Sequence, residues 1–141
     1  MQLRVDFTAE AEVLFSVFAA RHELTYRVLE DQEAAKAGIE LLWTFPVQPG
    51  LTRAIVLGLQ NGDELTFGVD GFWSFFFPFP AVQQEFASIL DAWISRRARV
   101  VRYRWLGGRT LDLLTEDGWK SVYYANTWPW RGRPVSITMN D

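Results

Sequence analysis

Six aromatic rings fall within the eight positions Phe72–Phe79 of the stretch GVDGFWSFFFPFP. Each large ring buries about 150–250 Å², so six represent roughly 900–1,500 Å² of apolar surface. At about 25 cal/mol per Å², their burial is worth on the order of 20–40 kcal/mol as an upper bound. Monomers seldom leave patches beyond a few hundred Å² in water. Most of these rings must therefore be interior, and the chain must fold into something with enough layers to cover them. In an extended chain, Trp73, Phe75 and Phe77 share one face and Phe72, Ser74 and Phe76 the other. The face with three rings is assigned to the core. Phe72 and Phe76 then lie either under a helix or at an interface.

The remaining pattern tells which layers are available. Val82, Phe86, Ile89, Leu90, Trp93 and Ile94 recur at helical spacing over AVQQEFASILDAWISRR, with Pro80 suited to the first turn and Arg96 and Arg97 at the negative end of the dipole. A second helix is expected after Thr8, carrying Val13, Leu14, Val17 and Phe18 and ending near Arg21–His22. DQEAAKAG (31–38) reads as a helical turn closed by Gly38.

Strands are expected at QLRVDF, at TYRVLE (25–30) and at IELLWTF (39–45). Asn61-Gly62 marks a hairpin between TRAIVLGLQ and ELTFGV. A loop over Gln60–Gly62 places Leu57 opposite Leu65 and Ile55 opposite Phe67. Asp70-Gly71 allows a further turn into FWSFFF. RVVRYRW, RTLDLLT and WKSVYY follow as a meander, with Tyr103 facing Leu111, and with Val101, Tyr103 and Trp105 inward and Arg102 and Arg104 outward. NTWPWRGRP is a loop, and VSITMN closes the chain as a short strand. Hairpins imply antiparallel pairing, and amphipathic helices need a sheet to cover. The expected fold is a single α+β domain over residues 1–141: a curved antiparallel sheet of six to eight strands with two packed helices.

Chemistry is sparse. Cysteine is absent and His22 is the one histidine, which removes disulfides, thiolate sites and paired-imidazole metal sites. His22, near a helix end, is read as a solvated or capping residue. Glu30, Asp31 and Glu33, and the pairs Asp63-Glu64 and Glu116-Asp117, stand in turns, where acids form turns and solubilise. GxSxG, GxxxxGK[ST] and GxGxxG are missing. No catalytic residue, metal ligand or cofactor is assigned.

The net charge of −3 is uneven: residues 1–64 hold ten acids and five bases, residues 92–141 four acids and nine bases. Arg96, Arg97, Arg99, Arg102, Arg104 and Arg109 form a run with no acid inside it. Parity separates Arg102 and Arg104 from Tyr103 and Trp105, which argues for a solvated strand face rather than a nucleic-acid surface. No apolar run reaches the ~20 residues of a membrane span, and no charged-then-apolar start with a cleavage site is present, so a cytoplasmic protein is expected.

The succession FW-x-x-FFP, amphipathic helix, GW turn and PW dipeptide covers about residues 64–134. It is carried by Phe72, Trp73, Phe76, Phe77, Pro78, Phe86, Gly118, Trp119, Pro129 and Trp130. It resembles a family of small bacterial proteins similar in style to the immunity partners of toxins. That resemblance implies a non-enzymatic protein that binds another protein, a toxin among the candidates, or a second copy of itself, by occluding a surface. Trp and Arg dominate binding hot spots, so Phe72, Phe76, Trp128, Trp130 and Arg131 are the candidate contact residues. Two alternatives stand beside this one: an aromatic pocket for a small ligand or a reaction, and a single-stranded nucleic-acid surface.

Overall fold

In the computed structural model of the protein, the described residues are 6–29, 36–105, 107–125 and 132–141. Their order is α1 (Thr8–Arg21), β1 (Arg27–Val28), β2 (Ile39–Phe45), β3 (Ile55–Gln60), β4 (Glu64–Val69), β5 (Phe72–Phe76), α2 (Phe79–Ile94), β6 (Ala98–Tyr103), β7 (Arg109–Thr115), β8 (Gly118–Ala125) and β9 (Pro134–Thr138). The fold is α+β. The strands divide between two antiparallel sheets, one of five strands in the order β1-β2-β3-β4-β5 and one of four in the order β8-β7-β6-β9. A helix precedes each sheet in the chain. The strand expected at QLRVDF lies outside the described residues up to Val5, and Asp6 and Phe7 are not extended in a sheet. The turn expected at 31–38 is also largely outside them; Gly38 at its end takes φ 86°, the left-handed conformation foreseen for it.

The helix α2 is the spine. Its stripe sends Phe86, Ile89, Leu90 and Trp93 into the core, and the helix packs against β4, β5, β6 and β7, so it touches both sheets. Trp93 meets Phe67 of β4 edge-on at 5.4 Å, and Phe86 meets Phe76 of β5 at 5.8 Å and Phe15 of α1 at 6.4 Å. Asp63, in the β3–β4 turn, accepts the Phe79 amide at 2.7 Å and so satisfies one free donor at the start of α2. The chain end closes the far side. Asn140 is buried: its Oδ1 accepts the Thr52 amide at 2.8 Å, and its Nδ2 donates to Gly50 O at 3.0 Å and Ile94 O at 3.1 Å.

Register decides which residues face that core. Leu57 pairs with Phe67, Leu59 with Leu65 and Ile55 with Val69, two positions away from the expected register. A shift of two keeps every side chain on its face, so Leu57, Leu59, Leu65 and Phe67 are all buried, as their alternation required. The second hairpin is different. Val100 pairs with Leu111, Val101 with Thr110 and Arg102 with Arg109, three positions from the expected register. An odd shift reverses the faces relative to the partner strand. Ala98 and Val100 join the main core, while Val101 is buried outside that cluster. Arg102, an alternate neighbour of Val100, shares the core-side face of the sheet. β6 stops at Tyr103, so alternation does not extend to Arg104 and Trp105; the guanidinium of Arg104 instead sits 5.8 Å from the Trp105 ring.

Candidate functional site

The aromatic stretch resolves through its turn. Asp70 and Gly71 both adopt positive φ, 48° and 76°, the conformation of a two-residue type I′ hairpin loop. That loop pairs Val69 with Phe72, Phe67 with Ser74 and Leu65 with Phe76. Opposed residues share a face, so Phe72 and Phe76 join Leu65, Phe67 and Val69 inside. They are 2% and 7% exposed, and both rings contact Tyr123 of β8, at 6.0 and 5.6 Å, joining the two sheets. Ser74 is buried with them and meets its hydrogen-bonding need by donating to Phe67 O at 3.0 Å.

The expected assignment of faces is thereby reversed. Phe72 and Phe76, expected under a helix or at an interface, are core residues, Phe76 packing on Phe86 of α2. Trp73, Phe75 and Phe77, expected inside, are 44%, 37% and 61% exposed. The other expected contact residues, Trp128, Trp130 and Arg131, lie outside the described residues.

Trp73 and Phe75 stand on the outer face of the five-stranded sheet, where among the described residues no helix packs, and Phe77 is exposed just past the end of β5. Pairing sets two rows across this face: Thr44, Val56, Gly68 and Trp73, then Leu42, Gly58, Thr66 and Phe75. Gly58 lowers the floor of the second row between Leu42 and Phe75, while in the first row the Trp73 ring lies over Gly68. A largely apolar groove of about 270 Å³ results, lined by Ile39, Leu42, Gly58, Thr66, Trp73 and Phe75. Gln60 also reaches it, and its amide donates to Glu64 Oε2 at 2.8 Å, putting a polar pair at one end.

The polar clusters elsewhere are tied up in structure. His22 Nε2 lies 2.7 Å from Asp91 Oδ1, and Arg21 pairs with the other oxygen of the same carboxylate. An imidazole–carboxylate pair is half of a nucleophilic triad, but the nearby hydroxyls are engaged with backbone: Ser95 Oγ donates to Asp91 O at 2.9 Å and Ser88 Oγ to Gln84 O at 3.0 Å. The cluster pins the end of α1 to α2. On the outer face of the four-stranded sheet, Asp112 accepts from Arg99 Nε at 3.2 Å and from Ser121 Oγ at 2.6 Å, while the Arg99 guanidinium lies 4.2 Å from the Trp119 ring. Ring and cation do meet there, with the charge already neutralised by a buried carboxylate. Among the described residues no three His, Asp or Glu side chains come together as a metal site, and no helix is long and apolar enough to cross a membrane.

No protein-family model matches this chain, and no curated protein or solved structure does so either. The likeness seen in the FW-x-x-FFP pattern rests on those residues alone.

Proposed function

We propose that the protein is a cytoplasmic, non-enzymatic binding domain that recognises another protein through the outer face of its five-stranded sheet. The observation that supports this reading is the exposure of Trp73 and Phe75 on one side of β5, lining a groove with an apolar floor, with Phe77 exposed just beyond the strand. Six rings in one stretch exceed what the core takes up, and the surplus stands together rather than scattered. Rigid aromatic side chains offer large contact area at low entropic cost.

Size favours a protein over a small ligand. Pockets for drug-sized molecules run from about 300 to 1,000 Å³ and enclose most of the ligand, whereas this groove, at about 270 Å³, is open along the sheet. It suits one large apolar side chain standing out from a partner's surface. Charge selects the partner. The first 64 residues, which supply α1 and most of the five-stranded sheet, carry ten acids against five bases. Glu64, bonded to Gln60 at one end of the groove, is the acid placed beside it, so a partner with a basic group next to its apolar anchor is complementary there. A toxin inhibitor that acts by occlusion, the role implied by the resemblance, is one protein of this kind.

The test is calorimetric titration against basic proteins encoded by the flanking genes. A complex is expected that weakens with added salt and loses at least about tenfold in affinity on Phe75→Ser, since central aromatic anchors carry most of such binding energy. A Val47→Ser control, at an exposed apolar residue in the β2–β3 connection, should bind normally. Complexes indifferent to Phe75→Ser and Phe77→Ser would overturn the assignment of the surface. Failure to find any complex with a monomeric wild-type protein would overturn the function.

A further inference from the structure

The geometry points to a second site, an oxyanion-binding cleft between the two sheets at the Asp70-Gly71 turn, with Arg102 and Arg109 as its ligands. The two arginines are direct partners across β6 and β7. Like charges in that relation are destabilising, and among the described residues neither guanidinium has a carboxylate within ion-pair distance. The row continues to Ser136 of β9, which is the partner of Arg102 on its other side. Three donor side chains thus stand side by side on one sheet face.

That face looks into a cleft of about 230 Å³, whose lining is mostly polar. Its floor is closed by Val69, Phe72 and Val100. Thr138, the cross-strand partner of Val100, adds a second hydroxyl beside that of Ser136. Beside the cleft, the Gly71 turn approaches Arg109: a Cβ at Gly71 would stand in ordinary contact, 3.8 Å, with one of its terminal nitrogens.

Among the described residues lining the cleft, one is an acid. Asp70 also lines the cleft, but it pairs with Arg53 at 2.7 Å. Three guanidiniums against one carboxylate leave a net charge of +2 around the opening. Guanidiniums carry planar arrays of donors matched to phosphate and carboxylate oxygens, and hydroxyls donate to the same oxygens. An apolar floor beneath a doubly cationic rim fits a compact oxyanion, whether free or borne on a small organic molecule. The site lies at the opposite face of β5 from Trp73 and Phe75, and it does not depend on the protein-binding reading.

Thermal unfolding at constant ionic strength, with sodium phosphate and sodium succinate as separate arms and sodium chloride as reference, tests the assignment. For a dissociation constant near 1 mM, about 10 mM of the bound anion should raise the unfolding midpoint by about 3–5 °C. The arm that responds identifies phosphate or carboxylate as the preferred group. The Nε–H resonances of Arg102 and Arg109 should shift in the same titration, a readout that needs no variant. The Arg102→Gln/Arg109→Gln double variant should be more stable than wild type without the anion and should lose the response, while Arg27→Gln and Phe77→Ser should retain it. Midpoints that track chloride in both arms, or a response that survives in the double variant, would overturn the proposal.

Discussion

Trp73 and Gly68 are partners across the β4–β5 ladder, and the indole occupies the space a side chain at residue 68 would need: a Cβ placed there would stand 2.8 Å from ring Cε3 and Cζ3. A glycine inside a strand is ordinarily a cost in backbone entropy. Here it lets a large ring lie down on the sheet. Gly68→Ala should therefore displace the ring and destabilise the protein by about 1–2 kcal/mol, in the range of overpacking. In a Trp73→Ala background the same substitution should become neutral or slightly stabilising, because alanine suits a strand better once the ring is gone. Chemical denaturation of the four proteins closes a double-mutant cycle whose coupling term carries the sign of this contact.

Phe72 and Phe77 provide the second test, since they distinguish the two faces of the aromatic stretch. Phe72 is sealed beneath Tyr123 and the second sheet, and Phe77 is the most exposed of the six rings. Phe72→Ala should cost about 3–5 kcal/mol, the range for emptying a core aromatic site. Phe77→Ala should stay within about 0.5 kcal/mol of wild type. Urea unfolding curves measure both, and equal costs would contradict the placement of Phe72 inside and Phe77 outside.

How far this arrangement was readable beforehand depends on whether a segment has one apolar face or two. The α2 stripe and IELLWTF each have one dominant apolar face, and their periodicity placed both elements and most of their buried residues. It missed buried Phe79 at the start of α2, and it put Ile39 inside, whereas the bulge in β2 turns that residue to the outer groove. FWSFFF has rings on both faces, so alternation alone could not orient it, and counting rings favoured the wrong face. The informative signal lay in the neighbour. ELTFGV has an apolar face, Leu65, Phe67 and Val69, and a face of Thr66 and Gly68 that has no large apolar side chain. A two-residue Asp70-Gly71 loop sets Phe72 opposite Val69 and so assigns Phe72, Ser74 and Phe76 to the interior. The β6–β7 hairpin was misread for the opposite reason: Gly107-Gly108 suggested a tight loop, whereas strand pairing stops at Arg102 and Arg109. The clash-prone pairing of two arginines there has no expression in local pattern. It arises only from register, and so the cleft was invisible in the sequence.

Asn140 is the third position to probe. Its side-chain amide connects the chain end to the β2–β3 loop through Thr52 and Gly50 and to the end of α2 through Ile94 O, with donors and acceptor all engaged. Asn140→Ala should cost about 2–4 kcal/mol, because it strips several bonds and leaves buried backbone groups unpaired. Asn140→Asp should be no milder. An ionised carboxylate can still accept from the Thr52 amide, but it cannot donate to Gly50 O and Ile94 O and would set negative charge against both. Denaturation midpoints compared with a Ser88→Ala control, where an exposed hydroxyl bonds its own helix, separate this clasp from ordinary surface loss.

The Asp112 network yields the last prediction, and it bears on why the outer face of the second sheet is an unpromising contact for nucleic acid. Asp112 is buried with its carboxylate bonded to Arg99 on β6 and Ser121 on β8, so one acid ties three strands together from their middle member. Removing one partner of a buried pair leaves an uncompensated charge, typically worth 3–5 kcal/mol. Arg99 is only partly buried and rests on Trp119, so water and the ring can take up some of the loss. Asp112→Ala should accordingly cost about 2–3 kcal/mol, and Asp112→Asn less, because an amide oxygen can still accept from Ser121 or Arg99. Asp112→Ala also frees a guanidinium beside an indole, the pairing that single strands use for stacking and phosphate contact. Wild type should show no salt-sensitive binding to single-stranded oligonucleotides through this face, and a weak, salt-sensitive signal should emerge in Asp112→Ala. Fluorescence anisotropy with a labelled oligonucleotide reads both, and equal binding by the two proteins would show that the carboxylate does not mask Arg99.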